Sequence, residues 1–158
     1  MALKDTRHLA LFLVILLIDS EATAFDYRWN IFPGTHWCGA GNIAYHPNSL
    51  GIYPGVDNCC RTHDLCPVRV EKFSMAYGLF NPRPFPIMHC GCDEAFRSCL
   101  KKEGSVKSQM VGQFYFDHLE SPCFTFKPGK SCAERTWFGK CVLWSNMKIG
   151  ERRKPKSF

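Results

Sequence analysis

Residues 59–66 read Cys59-Cys60-Arg61-Thr62-His63-Asp64-Leu65-Cys66, a histidine and an aspartate side by side between cysteines. An imidazole can take a proton from water near neutral pH, and a carboxylate beside it can hold a cation or orient a base. On a helix, Cys59, His63 and Cys66 fall at i, i+4, i+7 and share one stripe, while Cys60 and Asp64 share the next. Bridged cysteines would hold both side chains on a covalent scaffold. A zinc site in a reducing compartment uses the same residue types at such spacing, so the compartment decides between the two.

The N-terminus points outward from the cell. Lys4 and Arg7 precede an unbroken apolar run, Leu9–Ile18, and Ala22-Thr23-Ala24 places small residues before a cut at Phe25. Residues 1–24 therefore read as a secretory signal peptide; the run is too short to span a bilayer, which takes about 20 residues. All ten cysteines follow the cut, an even number that implies five disulfides in an oxidising compartment. The remaining 25–158 suits one extracellular domain. Its net charge rises from +6 to +7 on removal of a segment holding two Lys/Arg and three Asp/Glu. A basic secreted chain can meet anionic membranes, glycans or nucleic acid. No aromatic-rich basic repeat supports a nucleic-acid module, so none is expected. There is no Asn-x-Ser/Thr sequon.

The elements that must position His63 follow from punctuation. Residues 25–58 are rich in Gly, Pro, Asn and aromatics and read as irregular loop. Asp57 or Asn58 can cap a helix starting at Cys59, and Pro67 ends it. Three prolines within 82–86 exclude a helix there. A second helix fits Met88–Lys102, stopped by Gly104; Ser105 caps a third carrying Val106, Met110, Val111 and Phe114. From Cys123 onward short β-prone runs suggest a small hairpin. The tail, 150–158, is basic and expected to be flexible. The fold class is mainly α and disulfide-rich.

Ten cysteines allow on the order of 10³ pairings. Cys59 and Cys66 are two turns apart, as are Cys92 and Cys99, so two bridges could join two helices. Antiparallel helices need Cys59–Cys99 and Cys66–Cys92; parallel helices need Cys59–Cys92 and Cys66–Cys99. His63, between its two cysteines, must face the second helix, and Asp93 lies near that interface, like an oriented general base; the parallel pairing would remove the reason for placing His63 against Asp93. Asp64 faces whatever Cys60 holds down, and Cys38 in Trp37-Cys38-Gly39-Ala40-Gly41-Asn42 is the natural partner. Inward-turned carbonyls with one carboxylate suit a hard cation, calcium above all outside the cell.

These residues resemble the secreted phospholipases A2, specifically the group III branch typified by bee venom. The resemblance is carried by Phe32-Pro33-Gly34-Thr35-His36-Trp37-Cys38-Gly39-Ala40-Gly41-Asn42, Asp57-Asn58-Cys59-Cys60-Arg61-Thr62-His63-Asp64-Leu65-Cys66, Cys90-Gly91-Cys92-Asp93 and Gly112-Gln113-Phe114-Tyr115-Phe116. It implies bridges Cys38–Cys60, Cys59–Cys99, Cys66–Cys92, Cys90–Cys123 and Cys132–Cys141, hence the antiparallel pair, with a calcium-binding loop, a third helix and a small C-terminal β wing. It implies that Trp37, Gly39 and Gly41 offer carbonyls, and Asp64 its carboxylate, to Ca²⁺. It makes His63 the base, Asp93 its orienting partner, Tyr115 a donor to Asp93, and the Gly39 amide an oxyanion donor. The reaction expected is sn-2 ester hydrolysis of glycerophospholipids by a secreted monomer at a membrane surface, favouring anionic lipid. Ile31, Phe32, Val106 and Met110 are candidates for its apolar rim, though core packing would serve each equally. A non-catalytic receptor ligand or toxin on the same fold would be marked by a changed His–Asp pair or loop, and both are intact.

Overall fold

The computed structural model describes residues 31–158; the segment 1–24, read above as a signal peptide, lies outside them. The elements run α1 (Pro54–Asp64), β1 (Arg69–Val70), β2 (Met75–Ala76), β3 (Leu79–Phe80), β4 (Ile87–Met88), α2 (Cys90–Glu103), α3 (Val106–Gln113) with a π-helical extension Phe114–His118, β5 (Cys123–Arg135) and β6 (Cys141–Arg153). "Mainly α" is therefore too strong: two 13-residue strands bring extended structure level with helix.

Helix α1 starts at Pro54, five residues before the expected start at Cys59. Pro54 sits in its first turn, where a missing N–H costs nothing. Asp57 is thus inside the helix, on one stripe with Cys60 and Asp64. Helix α2 begins at Cys90, because Met88 pairs with Arg69 in a short antiparallel ladder and His89 is the cap. Its Nδ1 accepts from the Gly91 amide at 3.1 Å. Gly104, at φ 71°, closes the helix in the left-handed conformation that glycine favours. Ser105 caps α3, its Oγ accepting from Ser108 N at 3.2 Å.

Cys59–Cys99 and Cys66–Cys92 tie the early cysteine of each helix to the late cysteine of the other, so α1 and α2 run antiparallel. Cys38–Cys60 pins the 36–43 loop to α1, Cys90–Cys123 joins α2 to β5, and Cys132–Cys141 clamps the far end of the ribbon. Each bridge contributes roughly 2–4 kcal/mol, mainly by restricting the unfolded chain. One core gathers Trp37, Val56, Phe96, Leu100, Val111 and Phe116 between loop and helices. A second packs Val70, Ile87 and Phe124 at the base of the β5–β6 ribbon.

The connector between α1 and α2 is held by buried Asn81. Its amide donates to the carbonyls of Val70, Glu71 and Phe85 at 3.2, 3.1 and 2.9 Å, while its Oδ1 accepts from Arg83 N at 3.0 Å.

The tail is not loose. Glu151–Arg153 belong to β6, and the residues beyond it dock on the helices. Arg97 Nε donates to Ser157 O at 2.8 Å, Lys156 pairs with Glu94 at 3.0 Å, and the Phe158 amide donates to Asp117 Oδ1 at 3.0 Å. The Phe158 ring stacks on Phe116 and lies flat over Gly112, where a Cβ would come within 2.3 Å of it. Basic composition suggests a solvated end, but the final aromatic supplies apolar area that the helices bury.

Candidate active site

Helix α1 presents His63 to α2, and the two bridges between the helices hold it there. His63 Nε2 lies 2.7 Å from Asp93 Oδ1 in the first turn of α2. The two residues are 7% and 4% exposed. A buried carboxylate at that distance fixes the tautomer: Nε2 carries the proton toward Asp93, and Nδ1 makes no hydrogen bond among the described residues. Phe96 stacks on the imidazole at 4.5 Å and 18°, and Tyr115 meets it edge-on at 5.2 Å and 81°, so rotation of the ring is blocked on both sides.

Tyr115 reaches the same carboxylate from the π-helical extension of α3. Its hydroxyl donates to Asp93 Oδ1 at 3.2 Å and stands 3.5 Å from His63 Nε2. Burial, and then the Asp93 charge, push the phenol up, so it stays protonated and remains a donor. The widened turn is a local departure of the kind often found at functional sites. Asp93 Oδ2 is buried with no partner among the described residues.

Asp64 follows His63 directly, about 100° further round α1, on the stripe that carries Asp57 and Cys60. Its carboxylate makes no hydrogen bond or ion pair among the described residues; Arg69 instead donates to its backbone carbonyl at 2.6 Å. Burial pushes the carboxyl up to about 7, the Arg69 charge offsets this in part, and Asp57 adds to it. A half-buried carboxylate without a cation is costly, and a divalent ion beside it would remove the cost.

The Cys38–Cys60 bridge ties the loop Trp37-Cys38-Gly39-Ala40-Gly41 to α1 one turn before Asp64. The loop closes through Ile43 N–H to His36 O at 2.9 Å and Phe32 N–H to Cys38 O at 2.7 Å. Gly41 has φ 104°, a conformation closed to most side chains, with open space where a Cβ would stand. The Trp37 and Gly39 carbonyls each accept one tight bond, from Gly39 N and Gly41 N at 3.1 Å, and each keeps a second lone pair. The Gly39 N–H is engaged in that turn and must leave Trp37 O before it can serve an oxyanion. The Trp37 indole is buried and donates to Ser49 O at 2.8 Å, so it packs rather than faces a membrane. Among the described residues no three His, Cys, Asp or Glu side chains converge on a metal position. The donors that fit a hard cation are three backbone carbonyls and one carboxylate, all oxygen.

Asp57 escapes a reading that makes it a helix cap. Fully buried, its carboxylate accepts from His36 N at 2.9 and 3.0 Å, Trp37 N at 2.8 Å and Gly51 N at 2.8 Å, bracing the loop against α1. The signal was its i, i+3, i+7 stripe with Cys60 and Asp64, visible only once the helix is started at Pro54.

The four rim candidates divide. Val106 and Met110 lie one turn apart on the exposed face of α3, 72% and 46% exposed. Phe32 packs against the main core, with Lys107 Nζ 5.8 Å above its ring, and Ile31 bridges to Gly39.

The family model described as Phospholipase A2 matches residues 31–127. Group 3 secretory phospholipase A2 of Bos taurus is 38% identical over 130 residues, covering 82% of this chain and 26% of its own length. Phospholipase A2 of Apis cerana cerana is 38% identical over 130 residues, covering 81% of this chain and 93% of its own. Phospholipase A2 isozymes PA3A/PA3B/PA5 of Heloderma suspectum are 41% identical over 112 residues, covering 71% and 78%. This chain thus spans about a quarter of the length of the bovine relative and nearly all of the honeybee one. A matching family model over most of the described core, together with relatives of this identity and coverage, places the chain in the secreted phospholipase A2 family, in its group III branch.

Proposed function

We propose that the protein is a secreted, calcium-dependent hydrolase that cleaves the sn-2 acyl ester of glycerophospholipids to a lysophospholipid and a fatty acid. The observation that carries this reading is the buried His63–Asp93 contact of 2.7 Å, which leaves Nδ1 for a water molecule. His63 takes a proton from that water through Nδ1, and the oxygen attacks the ester carbonyl carbon. Asp93 holds the imidazole in place and stabilises the imidazolium that forms. Tyr115 keeps Asp93 oriented through its 3.2 Å hydrogen bond. His63 then returns the proton to the departing glycerol oxygen.

The carbonyls of Trp37, Gly39 and Gly41 and the carboxylate of Asp64 would hold the calcium ion. When bound there, it supplies positive charge to the substrate phosphate and to the ester oxygen as that oxygen becomes negative. Asp57 keeps the carbonyls in register by holding the loop backbone. The Gly39 amide adds a neutral donor to the oxyanion once its turn opens. The exposed Val106 and Met110 side chains, next to Lys107 and Phe32, give the opening an apolar rim with a cation for lipid phosphate. Secretion is supported by the leader read in residues 1–24 and by the five bridges. No helix among the described residues is long and apolar enough to cross a membrane.

The test is regiochemical. Phosphatidylcholine with different acyl chains at sn-1 and sn-2 should release only the sn-2 acid, and only with free calcium. Release of the sn-1 chain, or full release in excess chelator, would overturn the reading.

A further inference from the structure

Strands β5 and β6 leave the body of the molecule. Their base packs through Phe124 and Gly150 against Tyr77 and Leu79, but from Ala133 to Lys140 every residue is exposed. Seven residues of strand beyond Pro128 reach roughly 23 Å at about 3.3 Å per residue. At the tip, Trp137 and Phe138 are 97% and 93% exposed. Large aromatics with no partner among the described residues mark a surface that meets something else.

The tip is rigid. Gly139 N–H donates to Thr136 O at 2.9 Å, and Thr136 N–H to Lys140 O at 2.8 Å. Gly139 takes the left-handed φ of 79° that the turn requires, Arg135 Nη1 donates to its carbonyl at 3.0 Å, and Cys132–Cys141 locks the strands just below. Little backbone order therefore has to be gained when the rings are buried. Trp144, directly opposite Cys132, continues the apolar surface down one strand.

The charges choose the occupant. Between Lys130 and Lys148 there are Lys130, Arg135, Lys140 and Lys148, against Glu134 as the only acid. Trp and Phe flanked by cations fit the boundary between headgroups and acyl chains, where aromatic rings sit half in hydrocarbon and Lys or Arg meets phosphate. We propose that the β5–β6 tip is a membrane anchor, separate from the α3 rim, that inserts Trp137 and Phe138 into the interface of an anionic phospholipid surface. The choice of lipid rests in part on the phospholipase reading. The anchoring itself needs no hydrolysis.

The test is vesicle binding in chelator, where no turnover occurs. Full-length mature protein is sedimented with phosphatidylcholine/phosphatidylglycerol vesicles at 4:1. Trp137→Ser/Phe138→Ser should bind at least about tenfold more weakly, since full burial of one such ring is worth roughly 10–100-fold. The wild type should bind pure phosphatidylcholine less well, and rising salt should weaken its binding to the anionic vesicles. The unfolding midpoint of the double variant should not move, because neither ring has a partner among the described residues. Equal binding by variant and wild type would overturn the anchor and leave α3 alone at the membrane. A wild-type dimer in lipid-free solution that the variant dissociates would overturn it in favour of a contact between copies. Failure of the wild type to bind either vesicle would overturn it and point to a protein ligand for the tip. Loss of ester hydrolysis on every substrate with this binding intact would refute the hydrolase reading and spare the anchor.

Discussion

The Asp57 carboxylate accepts the Trp37 amide proton at 2.8 Å from within α1, while Cys60, one turn later on the same stripe, is bridged to Cys38. One covalent and one hydrogen-bonded tie thus fix the loop to the helix that carries His63 and Asp64. Asp57→Ala would strand the N–H groups of His36, Trp37 and Gly51. We expect a loss of about 2–4 kcal/mol in urea unfolding, and calcium affinity at least tenfold lower, read by calorimetric titration.

Asp64 predicts a pH dependence of unusual sign. Its carboxyl is raised from 3.8 to about 7 in the calcium-free fold. Between those values the folded state binds more protons than the unfolded one, so the calcium-free protein loses stability from this group as pH rises from about 4 to 7 and levels off above. Asp64→Asn should remove that slope in thermal unfolding scans and abolish calcium binding. Calcium binding by the parent should release a proton below about pH 7 and weaken as pH falls.

Tyr115→Phe isolates the hydroxyl. The ring would still flank His63 and Phe96, but Asp93 would lose a donor. Stability should fall by about 1–2 kcal/mol and kcat by no more than about tenfold, because Asp93 keeps its contact with His63. Steady-state turnover and denaturant titration read the two effects separately.

The face of α3 makes a prediction about substrate form. Val106→Glu and Met110→Glu place a charge on an exposed stripe. Turnover on vesicles should drop by more than tenfold, and by much less on a monomeric short-chain phospholipid. Equal loss on both would move the rim elsewhere.

The seven-residue spacing of Cys59/Cys66 and of Cys92/Cys99 makes the bridged helix pair legible in the sequence, because bridges need facing stripes. Its direction is not legible, since parallel and antiparallel pairs satisfy the same spacing. Asp57 is misread because aspartate before a cysteine run looks like a cap, whereas here its charge is spent on amides 20 residues away. The ribbon is underestimated for a similar reason. Pro128, Gly129 and Gly139 break the β pattern, yet the ladder runs through the first two, and Gly139 makes the turn. Docking of Phe158 depends on the groove over Gly112, formed only once α3 is packed.

The central claim is that His63 activates water while Asp64 and the loop hold calcium, two roles on neighbouring residues of one helix. The most direct measurement pairs calorimetric calcium titration with sn-2 release by purified His63→Gln. Calcium affinity within about twofold of the parent, with turnover down roughly 10²–10⁴-fold, is the predicted result. A His63→Gln protein that binds calcium and keeps most of its turnover would contradict the account.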